Sequence, residues 1–187
     1  MIRVIIETTV KAPIAIIYDV YGDPLAAEKI FPGLIKILDK RNREDYKVGD
    51  VIKHARIIWK METPFFVTVG DSVPLVSIST QVANRYAVTE VICAFEDLGS
   101  ETKVKVTYIS NAKPLFKIFE PGMARTLAKE ALKTISKINS YIAPNEASQV
   151  KVISKRVWGT SVFIAEVISF FISFFVTFFV SYFIRHR

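Results

Sequence analysis

The stretch that decides the fold runs from Thr102 to Ile142, where TKVKVTYI at residues 102–109 gives way to PLFKIFEPGMARTLAKEALKTISKINSYI at residues 114–142. Apolar residues alternate in the first part, which predicts a strand with one buried face. In the second part they recur every three or four positions, which predicts a long amphipathic helix. The positions of that apolar stripe are Phe116, Phe119, Met123, Leu127, Ala131, Ile135, Ile138 and Ile142. The helix should end before Pro144, because a residue that precedes proline avoids the helical conformation.

Strand-like segments occupy most of the chain before that helix. Residues 2–10 alternate between apolar and polar side chains and predict a first strand. Pro13 then opens a predicted helix at residues 14–20, and a second short helix is predicted at residues 25–30. Five further strands are predicted at residues 34–40, 50–60, 64–70, 74–82 and 86–96. Their short connections favour an antiparallel meander, so the order predicts an α+β domain with one sheet and its helices on one side.

Five segments of the chain carry a family resemblance. They are residues 10–13 (VKAP), 17–24 (IYDVYGDP), 31–34 (FPGL), 95–104 (FEDLGSETKV) and 114–142. In this order they resemble the START/Bet v 1-like (SRPBCC) superfamily, of the polyketide cyclase/dehydrase and lipid-transport type. The resemblance covers residues 1–142 and departs from the family at residues 61–74 and in the C-terminal tail. It implies a helix-grip fold, in which a curved antiparallel sheet surrounds a long C-terminal helix, with an internal cavity for lipids, sterols, polyketides or other apolar ligands. It implies no single reaction, because one fold serves many functions.

The candidate residues for such a cavity are mostly large and apolar, as ligand pockets usually are. They are Trp59, Met61, Phe66, Tyr108, Phe119 and Met123. Glu90 joins them because it interrupts the apolar run Val88–Ile92, where an inward carboxylate would be a polar anchor. For each apolar residue the alternative is ordinary core packing, and for Glu90 it is the solvent-facing side of the strand.

The sequence offers little catalytic chemistry. Its two histidines are His54 and His186, and its one cysteine, Cys93, sits in an apolar strand-like run. No His/Cys spacing suits a metal, the glycines are too scattered for a phosphate loop, and no G-x-S-x-G nucleophile motif occurs. We therefore predict no catalytic residue, metal or cofactor. A cyclase or hydratase stays open as an alternative. Inward-facing polar residues clustered in one pocket would distinguish it, and convergence of Glu90, His54 and Tyr108 would favour it.

The apolar segment from Trp158 to Ile184 predicts a single membrane-spanning helix. Its last 18 residues, 167–184, contain no charge and would span about 27 Å as a helix. Its eight phenylalanines leave no polar face to meet water. Residues suited to the membrane interface flank it at Lys155, Arg156, Trp158, Tyr182 and Arg185.

Charge and small residues in this tail suggest its partners. Residues 151–187 hold five Lys+Arg and one Glu, a net of +4 within the formal +7 of the chain. Basic charge that brackets an apolar segment favours anionic lipid headgroups over nucleic acid. A small residue every four positions predicts contact with another helix, in a homo- or hetero-assembly. This helix-packing stripe consists of Ala165, Ser169, Ser173, Thr177 and Ser181.

Together these patterns predict a three-part organisation: a globular domain at residues 1–142, a linker or juxtamembrane segment at 143–157, and the membrane helix before a short basic tail at 185–187. Residues 146–156 are expected to form a helix that continues into the membrane. Three basic residues before the span and two after it, with no visible secretory signal, favour a cytosolic domain. The predicted function is a membrane-anchored module that binds or transfers a hydrophobic ligand. A subunit with a filled core that assembles through its membrane helix stays open as another alternative.

Overall fold

A computed structural model describes residues 1–31, 33–41, 45–58, 61–144 and 150–157. The strands are β1 (Ile2–Val10), β2 (Ile35–Ile37), β3 (Val51–Ile58), β4 (Met61–Val73), β5 (Ser77–Ala83), β6 (Ala87–Asp97), β7 (Thr102–Ala112) and β8 (Val150–Val157). The helices are α1 (Ile14–Gly22), α2 (Ala26–Ile30) and α3 (Glu120–Ile142), and a 3-10 helix at Pro114–Phe119 leads into α3. These elements confirm the predicted order of strand, two short helices, six strands and a long helix.

The strands form one antiparallel sheet in the order β2-β3-β4-β5-β6-β7-β1-β8. The pairing of β4 with β5 is interrupted between Val69 and Ser72, where two residues of β4 oppose one residue of β5. Gly70 stands at this bulge, and a Cβ there would lie 2.6 Å from the carbonyl oxygen of Ser79. Only glycine permits so close an approach of two backbones, so this residue allows the sheet to bend at its middle strands.

The core lies where α3 runs along β1. Ile2, Val4 and Ile6 have no exposed surface, and Ile135 of α3 has none either. Alanines on α3 let the helix come close to the sheet, and they are Ala124, Ala128 and Ala131. The amide of Asn139 donates a hydrogen bond of 2.9 Å to the buried hydroxyl of Thr8.

The direction of α3 follows from its contacts at both ends. The amino group of Met1 lies 3.1 Å from the carboxylate of Glu120 at the start of the helix. Thr8, near the other end of β1, holds Asn139 near the end of the helix. The helix therefore runs parallel to β1, and it covers one side of the sheet.

The expectation of a helix at residues 146–156 is wrong where the structure describes that segment. Residues 150–157 form β8, which pairs antiparallel with β1 from Val150 opposite Thr8 to Val157 opposite Ile2. Without β8, the outer edge of β1 would leave its backbone N–H and C=O groups unpaired. A valine-rich segment supplies the partner strand, and the strand conformation is favoured by β-branched residues.

The predicted membrane helix, Trp158–Ile184, lies outside the described residues. So do the interfacial Trp158, Tyr182 and Arg185 and the whole helix-packing stripe. Lys155 and Arg156 stand on β8, paired with Val4 and Arg3, so they belong to the sheet rather than to a helical juxtamembrane segment. Within the residues that the structure describes, no helix is long and apolar enough to cross a membrane.

The complete burial of Ile135 predicts the effect of shortening its side chain. Replacing this fully buried residue by alanine should lower the free energy of unfolding by about 2–5 kcal/mol, because transfer and cavity terms add. Urea unfolding of the full chain in mild detergent measures the change. Ile16→Ala is the matched control, since Ile16 is half exposed on α1 and should cost far less. Equal losses for the two variants would contradict the placement of the core.

Candidate functional site

The inner face of the sheet, the side that α3 covers, is unevenly filled. Along β1 and β7 its side chains are fully buried, as at Ile6 and Val106. Register carries the same face across to the middle strands. There Phe65, Ile78 and Cys93 are buried, but a neighbouring set of side chains is only partly buried: Val67, Val69, Thr80, Val82 and Val91. In the described part of the chain α3 packs against β1 and β8 and leaves this middle region less covered.

Four polar side chains point into this region, and we call them the polar cluster: Tyr21, His54, Arg56 and Tyr108. His54 and Arg56 are alternate residues of β3 that share the inner face with Ile52, which is fully buried. Tyr108 lies on the same face of β7, opposite Val4 and Val91. Tyr21 reaches the sheet from α1, with its ring edge-on to Phe95 at 5.6 Å between centroids.

Burial shifts the pKa values of the two basic members. It lowers the pKa of His54 from 6.5 to about 4; the nearby charge of Arg56 lowers it further, and Glu28 opposes the shift. Burial also lowers the pKa of Arg56, which the Tyr108 and Glu130 side chains partly oppose. His54 is therefore neutral at physiological pH beside a desolvated guanidinium.

The two tyrosines stay protonated for the same reason. Burial raises the pKa of Tyr21 and of Tyr108, and it raises the pKa of the neighbouring Cys93 thiol to about 12. Tyr108 interacts electrostatically with Tyr21, Cys93 and Arg56, so it connects the α1 side of the cluster to the β3 side. The cluster thus presents hydrogen-bond donors and one cation at neutral pH.

Several buried atoms of the cluster lack a hydrogen-bond partner among the described residues. They are both ring nitrogens of His54, the Nε of Arg56 and the hydroxyl of Tyr21. A buried polar atom left unsatisfied costs about 1–3 kcal/mol. A polar group of a bound molecule would remove that cost, so the cluster favours a ligand with hydrogen-bond-accepting atoms.

The structure brings only part of the predicted site together. Tyr108 faces inward as predicted, and Met123 is partly buried against the core on the inner side of α3. Trp59 and the side chain of Met61 lie outside the described residues. The remaining three predicted residues, Phe66, Glu90 and Phe119, do not point into this region.

The position of each of these three residues has a physical reason. Phe66 pairs with Lys53 and Ala83 on the outer face, while Phe65, one residue earlier, is buried inside, because a shift of one residue reverses the faces of a strand. Phe119 ends the 3-10 helix with 57% of its surface exposed.

Glu90 is exposed on the outer face, opposite Gln81 and Ile109. It points away from His54 and Tyr108, so the convergence of these three residues that would favour a cyclase or hydratase does not occur.

Three members of the cluster were not predicted to be site residues: Tyr21, His54 and Arg56. A signal for two of them was present, because Ile52, His54 and Arg56 alternate and so share a face with a strongly apolar residue. No group of three His, Cys, Asp or Glu that could hold a metal occurs among the described residues. A separate open depression of about 430 Å³ lies beside β2 and β3, lined by residues that include Leu34, Ala55, Ile57 and Glu62. It contains none of the predicted site residues and none of the cluster.

No protein-family model matches this chain, and no curated protein matches it. Solved structures do match. A START superfamily protein from Mycobacterium smegmatis aligns at 18% identity and a TM-score of 0.59, over 78% of this chain and 100% of its own. A conserved protein from Geobacillus kaustophilus aligns at 15% identity and a TM-score of 0.59, over 79% of this chain and 99% of its own. Ara h 8.0201, a Bet v 1 allergen, aligns at 15% identity and a TM-score of 0.59, over 78% of this chain and 100% of its own. The chain has the START/Bet v 1-like helix-grip fold. At these identities the likeness shows the fold alone.

The shifted pKa of His54 predicts how stability depends on pH. The unfolded chain binds a proton on this imidazole near pH 6.5, whereas the folded chain resists it until about pH 4. The free energy of unfolding should therefore fall as the pH is lowered from 6.5 toward 4. Urea unfolding at several pH values measures this loss, and His54→Phe should flatten that part of the profile. An NMR titration of His54 with its midpoint near 6.5 would contradict the prediction.

Proposed function

We propose that this protein is a membrane-anchored module that binds an apolar molecule with an anionic or hydrogen-bond-accepting group between its sheet and α3. The polar cluster is the observation that carries the proposal. It brings a guanidinium, an imidazole and the phenol of Tyr108 to an inner face whose other side chains are apolar or carry hydroxyl groups, and the phenol of Tyr21 joins them from α1. Ligand sites commonly combine such an apolar lining with a few polar groups that orient the ligand.

Arg56 gives the ligand its chemical class. A guanidinium matches a carboxylate or phosphate in charge and in geometry, because its N–H groups donate in parallel. The pKa of Arg56 is lowered chiefly by burial, and an anion beside it would stabilise its charged form. The apolar residues around it favour a hydrocarbon chain or ring system on the same molecule. A lipid or isoprenoid that bears an acidic group fits both requirements.

The anchoring half of the proposal rests on the C-terminal sequence. The uncharged segment 167–184 has the length and composition of a membrane span. The described chain ends at Val157 on a strand of the sheet, directly before Trp158. A domain held so near a bilayer meets lipid at a high local concentration. The charge flanking the segment favours a cytosolic domain.

Substitution of Arg56 tests the ligand. The probe is dansyl-labelled undecanoic acid, compared with the corresponding alcohol. Wild type should prefer the acid, and Arg56→Met should bind it roughly 10- to 100-fold more weakly, since a hydrogen bond to a charged group contributes about 1.5–3 kcal/mol. Fluorescence titration of the full chain in mild detergent measures both affinities.

A matched variant and a stability measurement complete that test. Arg125→Met removes an exposed arginine from α3 and should leave the acid affinity unchanged. Without ligand, Arg56→Met should be about as stable as wild type, because the loss of the guanidinium contact with the Phe65 ring is offset by removing a desolvated group whose Nε lacks a hydrogen-bond partner. Equal acid affinity in all three proteins would contradict the role of Arg56, and absence of binding in wild type would contradict the proposed function.

Membrane integration is tested on the full chain in cells. Wild type should stay in the membrane pellet after alkaline carbonate extraction. Phe174→Lys with Phe178→Lys should release it, since each lysine near the centre of a span costs about 2.5–3.5 kcal/mol. Phe174→Leu with Phe178→Leu keeps the apolar character and should remain in the pellet. Release of wild type by carbonate would refute the anchor.

A further inference from the structure

The two ends of the sheet differ in charge. At the end where β1 begins and β7 ends, the exposed residues include Arg85, Lys113, Leu115, Lys117 and Phe119, and we call this set the basic end. The exposed carboxylate of Glu62 lies at the same end, at the start of β4. At the opposite end the exposed apolar residues Val73, Leu75, Val76 and Leu98 lie on the β4–β5 and β6–β7 connections. Exposed carboxylates accompany them there, and these are Asp71, Glu96 and Asp97.

The chain leaves the domain at the basic end. Val157, the last residue of β8, pairs with Ile2, which pairs in turn with Ser110 of β7. Two strand spacings, about 10 Å, therefore separate the exit point from Ser110. Lys113 follows three residues later, and the 3-10 helix begins at Pro114. The thirty residues after Val157 thus start beside this surface.

The basic end is held in place by packing. The ring of Phe116 lies edge-on to Tyr86 at 5.1 Å, and the backbone N–H of Lys113 donates to the carbonyl of Tyr86 at 2.9 Å. The guanidinium of Arg85 lies over the ring of Tyr86, with its Cζ 4.5 Å from the ring centroid. These contacts fix the 3-10 helix while Leu115 remains 85% exposed and Phe119 57% exposed. Two large apolar side chains are therefore presented to the outside on a rigid support.

The exposed side chains of this segment include two lysines and two large apolar residues: Lys113, Lys117, Leu115 and Phe119. An anionic bilayer surface suits that pattern, because apolar side chains enter the headgroup region while lysines contact the headgroups. Glu120 does not offset the lysines, since its carboxylate is engaged by the amino group of Met1.

Two other surfaces fit a bilayer less well. The carboxylates at the opposite end would be repelled by anionic lipid. The basic residues on the outside of α3, Arg125, Lys129, Lys133 and Lys137, run along the helix away from the basic end. Lys137 lies roughly 25 Å along the helix from Glu120, well beyond the screening length of about 10 Å.

We propose that the basic end docks onto an anionic phospholipid bilayer through Leu115 and Phe119, with Arg85, Lys113 and Lys117 contacting the headgroups. This inference rests on the proposed membrane anchor, which would bring the same end of the domain to the bilayer.

The test uses the full chain reconstituted in vesicles of phosphatidylcholine and phosphatidylglycerol. Leu115→Cys and Phe119→Cys are labelled with bimane, and Val76→Cys and Leu98→Cys are the matched controls at the opposite end. Cys93 is buried and does not compete for the label. Lipids brominated in their acyl chains should quench most of the emission at 115 and 119 and leave the labels at 76 and 98 unquenched.

Charge reversal separates the basic end from the outside of α3. Lys113→Glu with Lys117→Glu should abolish quenching at 115, and Lys129→Glu with Lys133→Glu should not. Quenching at 76 and 98 instead, or at none of the four positions while carbonate leaves the chain in the vesicles, would overturn the docking surface and leave the anchor intact. Release of wild type by carbonate would overturn the anchor itself.

Discussion

The packing of α3 along β1 is the constraint on which the rest of the structure depends. β1 lies between β7 and β8, and its inner side chains are completely buried beneath the helix. Small alanines bring the helix close, and contacts to Met1 and Thr8 hold it at both ends. Because α3 is committed to this side of the sheet, the middle strands are left with a less covered inner face. This less covered region is thus a consequence of where the helix is bound.

The polar cluster sits in that region at a cost to stability. A buried, unsatisfied polar atom costs about 1–3 kcal/mol, and a domain has only about 5–15 kcal/mol of net stability. Apolar residues at positions 54 and 56 would avoid the cost, since the surrounding inner face is already apolar. Locally unfavourable residues of this kind tend to occur at functional sites, where a bound group compensates for them. Filling the core alone does not account for Arg56.

The fold could be read from the sequence more fully than the site. Helical periodicity after Pro114 and alternation before it determine α3 and the first seven strands, because both patterns directly reflect burial. Which side chains of each strand lie on the inner face of the sheet was harder to predict. β4 carries Phe65 and Phe66 in succession, and apolarity alone does not tell which one is inside until pairing with β3 sets the register. β8 was not predicted: its β-branched residues are compatible with a strand, but its pairing depends on the edge of β1, which is far away in sequence.

β8 also connects the binding region to the place where the chain leaves the domain. A tail that followed a loose loop would leave the domain free to turn, whereas one that follows a strand hydrogen-bonded to β1 is fixed in its starting direction. Two members of the polar cluster, Arg56 and Tyr108, lie in the same half of the sheet as that exit, whereas Tyr21 packs on Phe95 toward the other end. Arg56 is two residues from the end of β3, and Tyr108 is two residues before Ser110, which is level with Val157 across β1. A molecule that moved between a bilayer at the basic end and the inner face would therefore meet Arg56 and Tyr108 before it reached the far half of the sheet. Its acidic group would be held near the entrance, and its apolar part would extend inward along the middle strands.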